Sequence, residues 1–442
     1  MVRSAERRRG GVGQSVLTGG VPGLFADAGL TREAGVLRLG DVSLSDIAAA
    51  AGTPVYVYNA GAIRERYREL DRALARILHR ICYAVKANST LAILRILRDL
   101  GAGADIVSGG ELARVLAAGF DPSRIVFSGV GKSPGELRVA IRAGLGHLNV
   151  ESREELDRIA VIADEERRPV SLGIRVNPDV TTETHPYIST GKSGIKFGVP
   201  IDQVAEAAAF IAAHPRLELT TLAMHLGSQL VDTAPFQQGI SRLLELARSL
   251  RAAGITSLEV LDIGGGLGIR YGDEPSMDPR RFADAVVPMI APTGYTTYLE
   301  PGRYLVGSAG VLVTEVLYRK HSGGKEFIVV DAGMNDLVRP SHYQAYHEIV
   351  EVEEMGRAPI KVDVVGPVCE TGDFLALDRS LPGVGPGERL AILGAGAYGF
   401  VMASNYNSRP RPAEVVVDGG SWWVARPRET VEELYAQERL SP

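Results

Sequence analysis

The sequence has few cysteines and no long apolar run. Its 442 residues include two cysteines, Cys82 and Cys369, which provide neither a disulfide framework nor a metal site. We therefore expect no bound metal and a reducing compartment, the cytoplasm. No apolar run approaches the roughly 18 residues that cross a bilayer, which predicts a soluble protein without a membrane partner. The basic start lacks the apolar core of a secretory signal, so residues 1–34 are predicted to be a disordered tail.

Neither sign of charge dominates the composition. The 48 lysines and arginines against 53 acidic residues give a formal charge of −5, which argues against nucleic acid or an anionic membrane as the main partner. With 45% hydrophobic and 23% charged residues, the composition is that of an ordinary globular protein. The length allows two domains with sizeable cores.

Strand and helix patterns alternate over residues 50–305. Segments with helical spacing of apolar residues, several closed by a glycine, separate the strand candidates. Eight strand-and-helix units predict a parallel (β/α)8 barrel. The strand candidates are ICYAV (81–85), ADIVS (104–108), RIVFSG (124–129), HLNVE (147–151), SLGIRVN (171–177), TLAMHLG (221–227), LEVLDIGG (258–265) and TTYLEPG (296–302).

The pattern changes over residues 306–442, where strand candidates follow one another with turn residues and no long helices between them. This pattern predicts a C-terminal, mostly antiparallel β domain. The stretch VLRLGDVSL within residues 35–49 is predicted to add a strand to it. The C-terminal strand candidates are VLVTEVLYRK, KEFIVVDAG, KVDVVGPVC, ERLAILGAG and AEVVVDGGSWWVA.

Lys86 ends the first strand candidate of the barrel, in the stretch YAVKAN. A lysine in this position can extend its charge into water while its stem packs on apolar neighbours. Alternatively, a closed site with nearby positive charge lowers the pKa of the amine, so that it forms a Schiff base with an aldehyde cofactor. The stretch alone leaves both open.

Further polar residues and glycines follow other strand candidates, where the loops of a barrel build its active site. Backbone N–H groups of Gly264, Gly265 and Gly266 suit a phosphate. The His225 ring could lie on an aromatic cofactor or belong to the core, and Glu300 and Arg303 could form a local salt bridge. Together with Lys86 these residues predict a pyridoxal 5'-phosphate site. Glutamate opposite the ring nitrogen favours decarboxylation over racemisation.

From about residue 35 onward the chain resembles the diaminopimelate decarboxylase family, within the alanine racemase and ornithine decarboxylase fold group. The resemblance implies a pyridoxal phosphate barrel with a C-terminal β domain, and a homodimer with shared sites. The implied activity converts meso-2,6-diaminopimelate to L-lysine and CO2, the last step of lysine biosynthesis. The matching stretches are YAVKAN, GADIVSGGEL, RVNPDV, HPYISTG, KFG, HLGSQ, GGGLG, EPGR, MNDLVRPSHY, GPVCETGD and GAYGFVMASNYNSRPRPAEV.

The resemblance also implies roles for individual residues. Lys86 would form the Schiff base, His225 would stack on the ring, and Cys369 is the candidate proton donor, although a lone cysteine is more often a small buried hydrophobe. Cofactor contacts are implied for Ser228, Gly264, Gly265, Gly266, Glu300, Pro301, Gly302, Arg303 and Tyr398. Substrate contacts are implied for Arg303, Arg339, Tyr343, Glu370 and Tyr398, with Cys369 and Glu370 entering from the partner subunit.

The substrate itself supports this assignment. After one carboxylate leaves, diaminopimelate keeps a distal carboxylate and a distal ammonium, which need a guanidinium and an anion. Arg339 and Glu370 provide that pair. The alternatives are a decarboxylase of carboxynorspermidine or a basic amino acid, a non-catalytic cofactor-handling protein, and a regulatory homologue. Cofactor-handling proteins with this barrel lack the β domain, and a regulatory homologue is expected to lose Lys86 or Cys369, both of which are present.

Overall fold

The computed structural model describes residues 22–178, 180 and 196–440. Its N-terminal elements are α1 (Pro22–Ala28), β1 (Leu30–Glu33), β2 (Val36–Leu39), β3 (Val42–Ser43), α2 (Leu44–Ala51) and β4 (Val55–Asn59). Strands β1 to β3 form an antiparallel three-stranded sheet of their own. The N–H of Leu37 in β2 donates to Val352 O at 2.8 Å, which ties this sheet to the C-terminal domain.

The predicted tail is therefore too long at its C-terminal end. Residues 22–33 form a helix and a strand, because Leu24, Ala28 and Leu30 are buried in one cluster with β-domain residues. The first 21 residues of that prediction lie outside the described residues. The strand predicted within residues 35–49 is β2, which pairs within the small sheet and contacts the β domain through an isolated bridge from Val36 to Glu353.

Within the described ranges, eight parallel strands close a barrel, which confirms the predicted (β/α)8 architecture. They are β5 (His79–Ala84), β6 (Gly103–Ile106), β7 (Ile125–Phe127), β8 (His147–Val150), β9 (Val170–Asn177), β11 (Leu217–Ala223), β12 (Val260–Asp262) and β13 (Thr296–Leu299). Strand β13 pairs with β5, and β8 pairs with β9, so the ring has no open edge. A two-residue strand, β10 (Val199–Pro200), pairs with β9 outside the ring.

Helices surround the barrel. They are α3 (Ala60–Ala73), α4 (Leu91–Asp99), α5 (Gly109–Ala117), α6 (Pro134–Ala143), α7 (Arg153–Glu166), α8 (Val204–Ala213), α9 (Ala234–Ala252), α10 (Pro279–Ile290) and α11 (Arg303–Val306). Helix α6 shows how the sequence sets their ends: Ser133 and Glu136 form a capping box at its start, and Gly144 ends it with φ 69°. No helix in the described part of the chain is long and apolar enough to cross a bilayer.

The C-terminal domain is a mostly antiparallel sheet, as predicted. It contains β14 (Gly310–Ser322), β15 (Lys325–Val330), α12 (Arg339–Tyr343), β16 (Ile349–Glu351), β17 (Pro359–Val365), β18 (Phe374–Pro382), β19 (Arg389–Ile392), β20 (Ala413–Asp418) and β21 (Ser421–Arg426). The main path is β18-β17-β15-β14-β4-β20-β21, with β19 joining β14 to β16. The β15–β17 and β20–β4 pairings are parallel.

Strand β4 belongs to this sheet although it lies inside the range predicted for the barrel. It pairs with β14 on one side and β20 on the other. Its alternate residues Val55 and Val57 are fully buried in the β-domain core, and Tyr56 and Tyr58 point to the opposite face. The chain thus contributes one strand to the β domain before it enters the barrel.

Candidate active site

Lys86 lies in a short 3-10 turn, Val85–Ala87, directly after β5. Its Nζ donates to Asp105 Oδ2 at 2.6 Å, and its side chain is 35% exposed whereas that of Asp105 is fully buried. Like Lys86, Asp105 lies near the C-terminal end of a barrel strand, in this case β6. The turn is also fixed from the β domain, because the N–H of Tyr398 donates to Ala87 O at 2.8 Å.

The pKa of Lys86 differs from the predicted direction. Burial lowers the pKa of this amine, but the charges of Asp105 and Glu300 raise it by more, so the net pKa lies above its usual value. The Schiff-base alternative for this lysine assumed nearby positive charge and a lowered pKa. The structure instead places carboxyl groups around the amine, because Asp105, 19 residues further along the chain, lies near the end of the neighbouring strand β6. The amine therefore carries a proton at neutral pH.

Glu300 and Asp262 are neighbouring buried carboxyl groups at the ends of β13 and β12. Burial raises the pKa of Glu300 well above its usual value, and Asp105 and Asp262 raise it further. Burial likewise raises the pKa of Asp262 to about 6. Because two adjacent buried carboxyl groups do not both ionise easily, the pair retains a proton near neutral pH.

The glycine run, Gly264 to Gly266, packs against the C-terminal ends of neighbouring barrel strands. A Cβ on Gly265 would lie 2.1 Å from Glu300 O, and one on Gly266 would lie 2.2 Å from Gly227 O. Gly264 and Gly266 have φ of 72° and 98°, which glycine adopts without strain. The N–H of Gly264 donates to Asp262 Oδ1 at 2.9 Å. Close packing thus explains the run, and its contact with a phosphate stays a prediction.

His225 follows β11 and faces the glycine run. Its Nδ1 accepts from the N–H of Gly265 at 3.2 Å, so in the neutral ring the proton lies on Nε2. Burial, Arg175 and Lys86 hold its pKa well below the usual value. The ring is therefore neutral at physiological pH, which suits a flat contact with an aromatic ring.

Pro301 and Gly302 pack against the Lys86 turn from the end of β13. Pro301 O accepts from the N–H of Ala84 at 3.2 Å. A Cβ on Gly302 would lie 2.9 Å from the Cβ of Ala87 and 3.1 Å from that of Ala84. The EPGR stretch therefore places Glu300 and Arg303 on either side of a close backbone contact with the lysine turn.

A cavity of about 420 Å³ lies where the barrel meets the β domain. It brings together a barrel guanidinium from Arg303 and a β-domain guanidinium from Arg339. Its lining consists of Ser228, Gln229, Val231, Tyr271, Glu274, Arg303, Arg339, Tyr343, Ala345, Tyr346 and Tyr398. The guanidinium carbon of Arg303 lies 4.9 Å from the ring centre of Tyr398. The structure therefore gathers Ser228, Arg303, Arg339, Tyr343 and Tyr398 at one site, beside the turn that carries Lys86.

Cys369 and Glu370 do not line this cavity. Both are exposed, on the loop between β17 and β18. Cys369 is a free thiol whose N–H donates to Asn407 Oδ1 at 2.9 Å. The alternative that this cysteine is a small buried hydrophobe is therefore wrong.

Some residues of the site were not predicted from the sequence. Asp105 and Asp262 lie near the ends of barrel strands, but the predicted strands ADIVS and LEVLDIGG continued past them, so the rule that singled out Lys86 missed them. Tyr271 accepts hydrogen bonds from both arginines, and His347 contacts Arg339, but neither residue carries a recognisable pattern. The stretch HPYISTG lies outside the described residues.

Comparisons with known proteins identify the family of the chain. A family model described as pyridoxal-dependent decarboxylase, pyridoxal binding domain, matches residues 60–307. A curated protein from Pseudomonas aeruginosa, named diaminopimelate decarboxylase, is 49% identical and covers 91% of this chain and 96% of its own length. The chain belongs to the diaminopimelate decarboxylase family.

Other members of the diaminopimelate decarboxylase family match with similar extent. The Aquifex aeolicus protein is 46% identical over 90% of this chain and 94% of its own length. The crystal structure of the Helicobacter pylori enzyme complexed with L-lysine has a TM-score of 0.86 and 40% identity, covering 89% of this chain and 98% of that one. The similarity thus extends over both domains.

Proposed function

We propose that the chain converts meso-2,6-diaminopimelate to L-lysine and CO2 with pyridoxal 5'-phosphate, the last step of lysine biosynthesis. The observation that carries this proposal is the pair of guanidiniums, Arg303 and Arg339, in a cavity whose lining residue Tyr398 is hydrogen-bonded to the turn that carries Lys86. A substrate that loses one carboxylate and keeps another needs such cations, whereas a decarboxylase of a simple diamino acid needs an anion for its distal ammonium.

The residues at the barrel mouth fit pyridoxal phosphate. Asp105 Oδ1 is buried without a hydrogen-bond partner among the described residues, so the site holds an unused acceptor. When bound, pyridoxal phosphate supplies a sink for the electron pair left by the broken bond between Cα and the carboxylate. Lys86 would hold its aldehyde, Glu300 its ring nitrogen and His225 its ring face. Its other contacts would come from Ser228, Gly264, Gly265, Gly266, Pro301, Gly302, Arg303 and Tyr398.

Glu300 holds the proton that a ring nitrogen requires. Because its pKa is raised by burial and by two neighbouring carboxyl groups, its carboxyl group would share a proton with a ring nitrogen held beside it and would stabilise positive charge there. Asp105 accepts from the Lys86 amine and so fixes its direction.

The cavity orients the rest of the substrate. Arg339, with 6% of its surface exposed, binds the distal carboxylate, and the desolvated setting strengthens that ion pair. Tyr343 and Tyr398 enclose the substrate and limit the access of water. A diamine has no carboxylate to contact Arg339, and a substrate with a single carboxylate has no distal carboxylate for it.

We also propose a cytoplasmic homodimer in which each site receives Cys369 and Glu370 from the partner subunit. The exposure of both residues, away from their own chain's cavity, supports this arrangement. Their loop is braced from within, since the Asp373 carboxylate accepts from the N–H groups of Met334 and Val368, both at 2.6 Å. Glu370 would bind the distal ammonium, and the Cys369 thiol would give a proton to Cα.

The test is incubation of the purified protein with pyridoxal phosphate and meso-diaminopimelate while L-lysine and CO2 are measured. We expect both products in equal amounts, and none with Lys86→Ala. The same assay with L-lysine, L-ornithine and carboxynorspermidine should give lower kcat/KM values. A higher kcat/KM for one of those compounds would assign the chain to that substrate, and cofactor-loaded protein inactive on all of them would be a non-catalytic homologue.

A further inference from the structure

Tyr271 connects the two guanidiniums of the cavity. Its phenol oxygen accepts from Arg303 Nη1 at 2.6 Å and from Arg339 Nη1 at 2.7 Å. Arg303 begins α11 of the barrel and Arg339 begins α12 of the β domain, so one oxygen atom joins cations from two domains. A phenol oxygen has two acceptor positions, and both are used here.

Tyr271 is itself held on several sides. Its backbone N–H donates to Glu274 Oε1 at 2.8 Å, and the N–H of Gly272 donates to Oε2 at 2.9 Å. Its ring and that of His347 form a T-shaped pair, with 5.2 Å between ring centres and 75° between ring planes. With 5% of its surface exposed, the side chain has little room to move.

His347 provides a second acceptor for Arg339. Its Nδ1 lies 2.8 Å from Leu393 O, to which it can only donate, so Nε2 accepts from Arg339 Nη1 at 3.3 Å. Burial, with Arg339 and Arg303, lowers the pKa of His347 to about 3, so the ring is neutral and this acceptor is maintained. The Tyr271 and His347 contacts both use Nη1, which leaves Nη2 and Nε of Arg339 as the donors for a ligand.

The phenol oxygen also offsets the repulsion between the two cations. Burial and the charge of Arg303 lower the pKa of Arg339. Burial alone would raise the pKa of Tyr271, but the two arginines lower it overall, because they favour negative charge on this oxygen. Removal of this acceptor would leave the repulsion between the two guanidiniums without that offset.

We propose that Tyr271 is the positioning residue that fixes Arg303 and Arg339, and that it thereby makes the cavity select ligands carrying a carboxylate. This inference rests on the proposed function and goes beyond it, because it assigns substrate selectivity to a residue that does not contact the reacting bond. Phenylalanine at this position keeps the ring and its packing but removes the shared acceptor.

The test compares two inhibitors of diaminopimelate turnover that differ by one carboxylate, L-lysine and cadaverine. In cofactor-loaded Tyr271→Phe we expect the Ki of L-lysine and the KM of meso-diaminopimelate to rise about tenfold, the usual effect of losing a hydrogen bond to a charged group. The Ki of cadaverine and the visible spectrum of the bound cofactor should be unchanged. In an Arg339→Ala background, Tyr271→Phe should have a smaller effect on L-lysine.

Tyr304→Phe is the matched control. Tyr304 is also buried and follows Arg303 directly, but its hydroxyl faces Glu69 at 3.5 Å, outside the cavity. Both Ki values should stay unchanged in this variant. Glu274→Gln weakens the hydrogen bonds that hold the backbone of Tyr271 and Gly272. We expect a smaller rise in the Ki of L-lysine and no change in that of cadaverine. This variant tests the proposal if Tyr271→Phe does not fold.

An equal rise of both Ki values, or an unchanged Ki for L-lysine, would overturn the role of Tyr271. The proposed function fails in a different way. In that case the unmodified protein neither decarboxylates diaminopimelate nor binds L-lysine, and the failure appears without any substitution.

Discussion

At the level of single residues, the charge around Lys86 suits a cationic ring. Asp105 contacts the Lys86 amine, and the buried pair of Asp262 and Glu300 retains a proton. These carboxyl groups favour positive charge beside the amine, and a protonated ring nitrogen would supply it.

Arg339→Ala tests the assignment of the distal carboxylate. Removing one partner of a desolvated charge pair costs on the order of 3 kcal/mol, so kcat/KM for diaminopimelate should fall by roughly 100-fold or more. Cofactor affinity should hardly change. Arg68→Ala, on α3 outside the cavity, controls for loss of an arginine. A variant that loses its cofactor but keeps its diaminopimelate kinetics would place Arg339 at the phosphate instead.

Asp336 provides a pH-dependent prediction. Burial raises the pKa of this carboxyl group to about 7. The N–H of Gly333 and the charge of Arg409 lower the pKa, but by less than burial raises it. In the unfolded chain the group loses its proton near pH 4, so between about pH 4 and 7 the folded state binds more protons and its stability falls as pH rises. Asp336→Asn removes this loss, which amounts to at most ~4 kcal/mol.

Thermal unfolding at pH 5 and pH 8 measures this effect. We compare the Tm of Asp336→Asn minus the Tm of the unmodified protein at each pH. This difference should be larger at pH 8 than at pH 5. Asp284→Asn, at an exposed position of α10, controls for the change of chemistry and should show no such difference. Parallel pH profiles for Asp336→Asn and the unmodified protein would contradict the raised pKa.

At the level of elements, the ends of β11, β12 and β13 are held together by backbone contacts through the glycine run. The N–H of Glu300 donates to Gly264 O at 2.9 Å, and the N–H of Leu230 donates to Gly266 O at 2.8 Å. The space beside each glycine is filled by backbone of a neighbouring strand end or loop, which cannot give way as a flexible side chain can. The position of Glu300 therefore depends on this packing.

Gly265→Ala should separate β12 from β13. Its Cβ would lie 2.1 Å from Glu300 O, and overpacking of this kind typically costs about 1–3 kcal/mol. We expect a lower Tm and weaker binding of pyridoxal phosphate, measured by absorbance titration. Gly135→Ala is the matched control, because its Cβ meets nothing within 4 Å on helix α6. If both variants bind the cofactor equally, the glycine packing does not position Glu300.

At the level of the whole molecule, the β domain completes the site built by the barrel. Buried Glu414 on β20 accepts from Thr90 Oγ1 at 2.6 Å, and Asn88 Nδ2 donates to Gly396 O at 3.1 Å. These contacts fasten the segment after Lys86 to the β domain. Arg339 and Tyr398 then reach the cavity from the same domain, so neither domain forms the site alone.

Mixing of inactive variants tests whether sites are shared between subunits. Lys86→Ala and Cys369→Ala homodimers should each be nearly inactive. Random exchange gives about half heterodimers, each with one intact site, so roughly a quarter of the original activity should return. Mass-tagged subunits verify the exchange. Activity that stays at the level of the separate variants would assign Cys369 to the site of its own chain.

The local sequence pattern was sufficient to predict the main helices and strands and several residues of the site. The eight barrel strands, Lys86 at the end of the first, and the change to a β domain after residue 305 all follow from periodicity and turn residues. These features depend on neighbours in sequence, which a pattern records directly. The predicted strand LEVLDIGG is longer than β12, which ends at Asp262, because the glycines turn the chain away.

The tertiary structure decided three further features: the membership of β4 in the C-terminal sheet, the raised pKa of Lys86, and the hydrogen bonds that Tyr271 accepts from two arginines. Each depends on residues far apart in the chain: β4 lies between β14 and β20, Lys86 meets Asp105 and Glu300, and Tyr271 joins Arg303 to Arg339. The sequence determined which residues end the strands and hence which functional groups gather at the barrel mouth. Only the folded chain determined their charge states and spacing, because electrostatic interactions depend on distance and burial rather than on order along the chain.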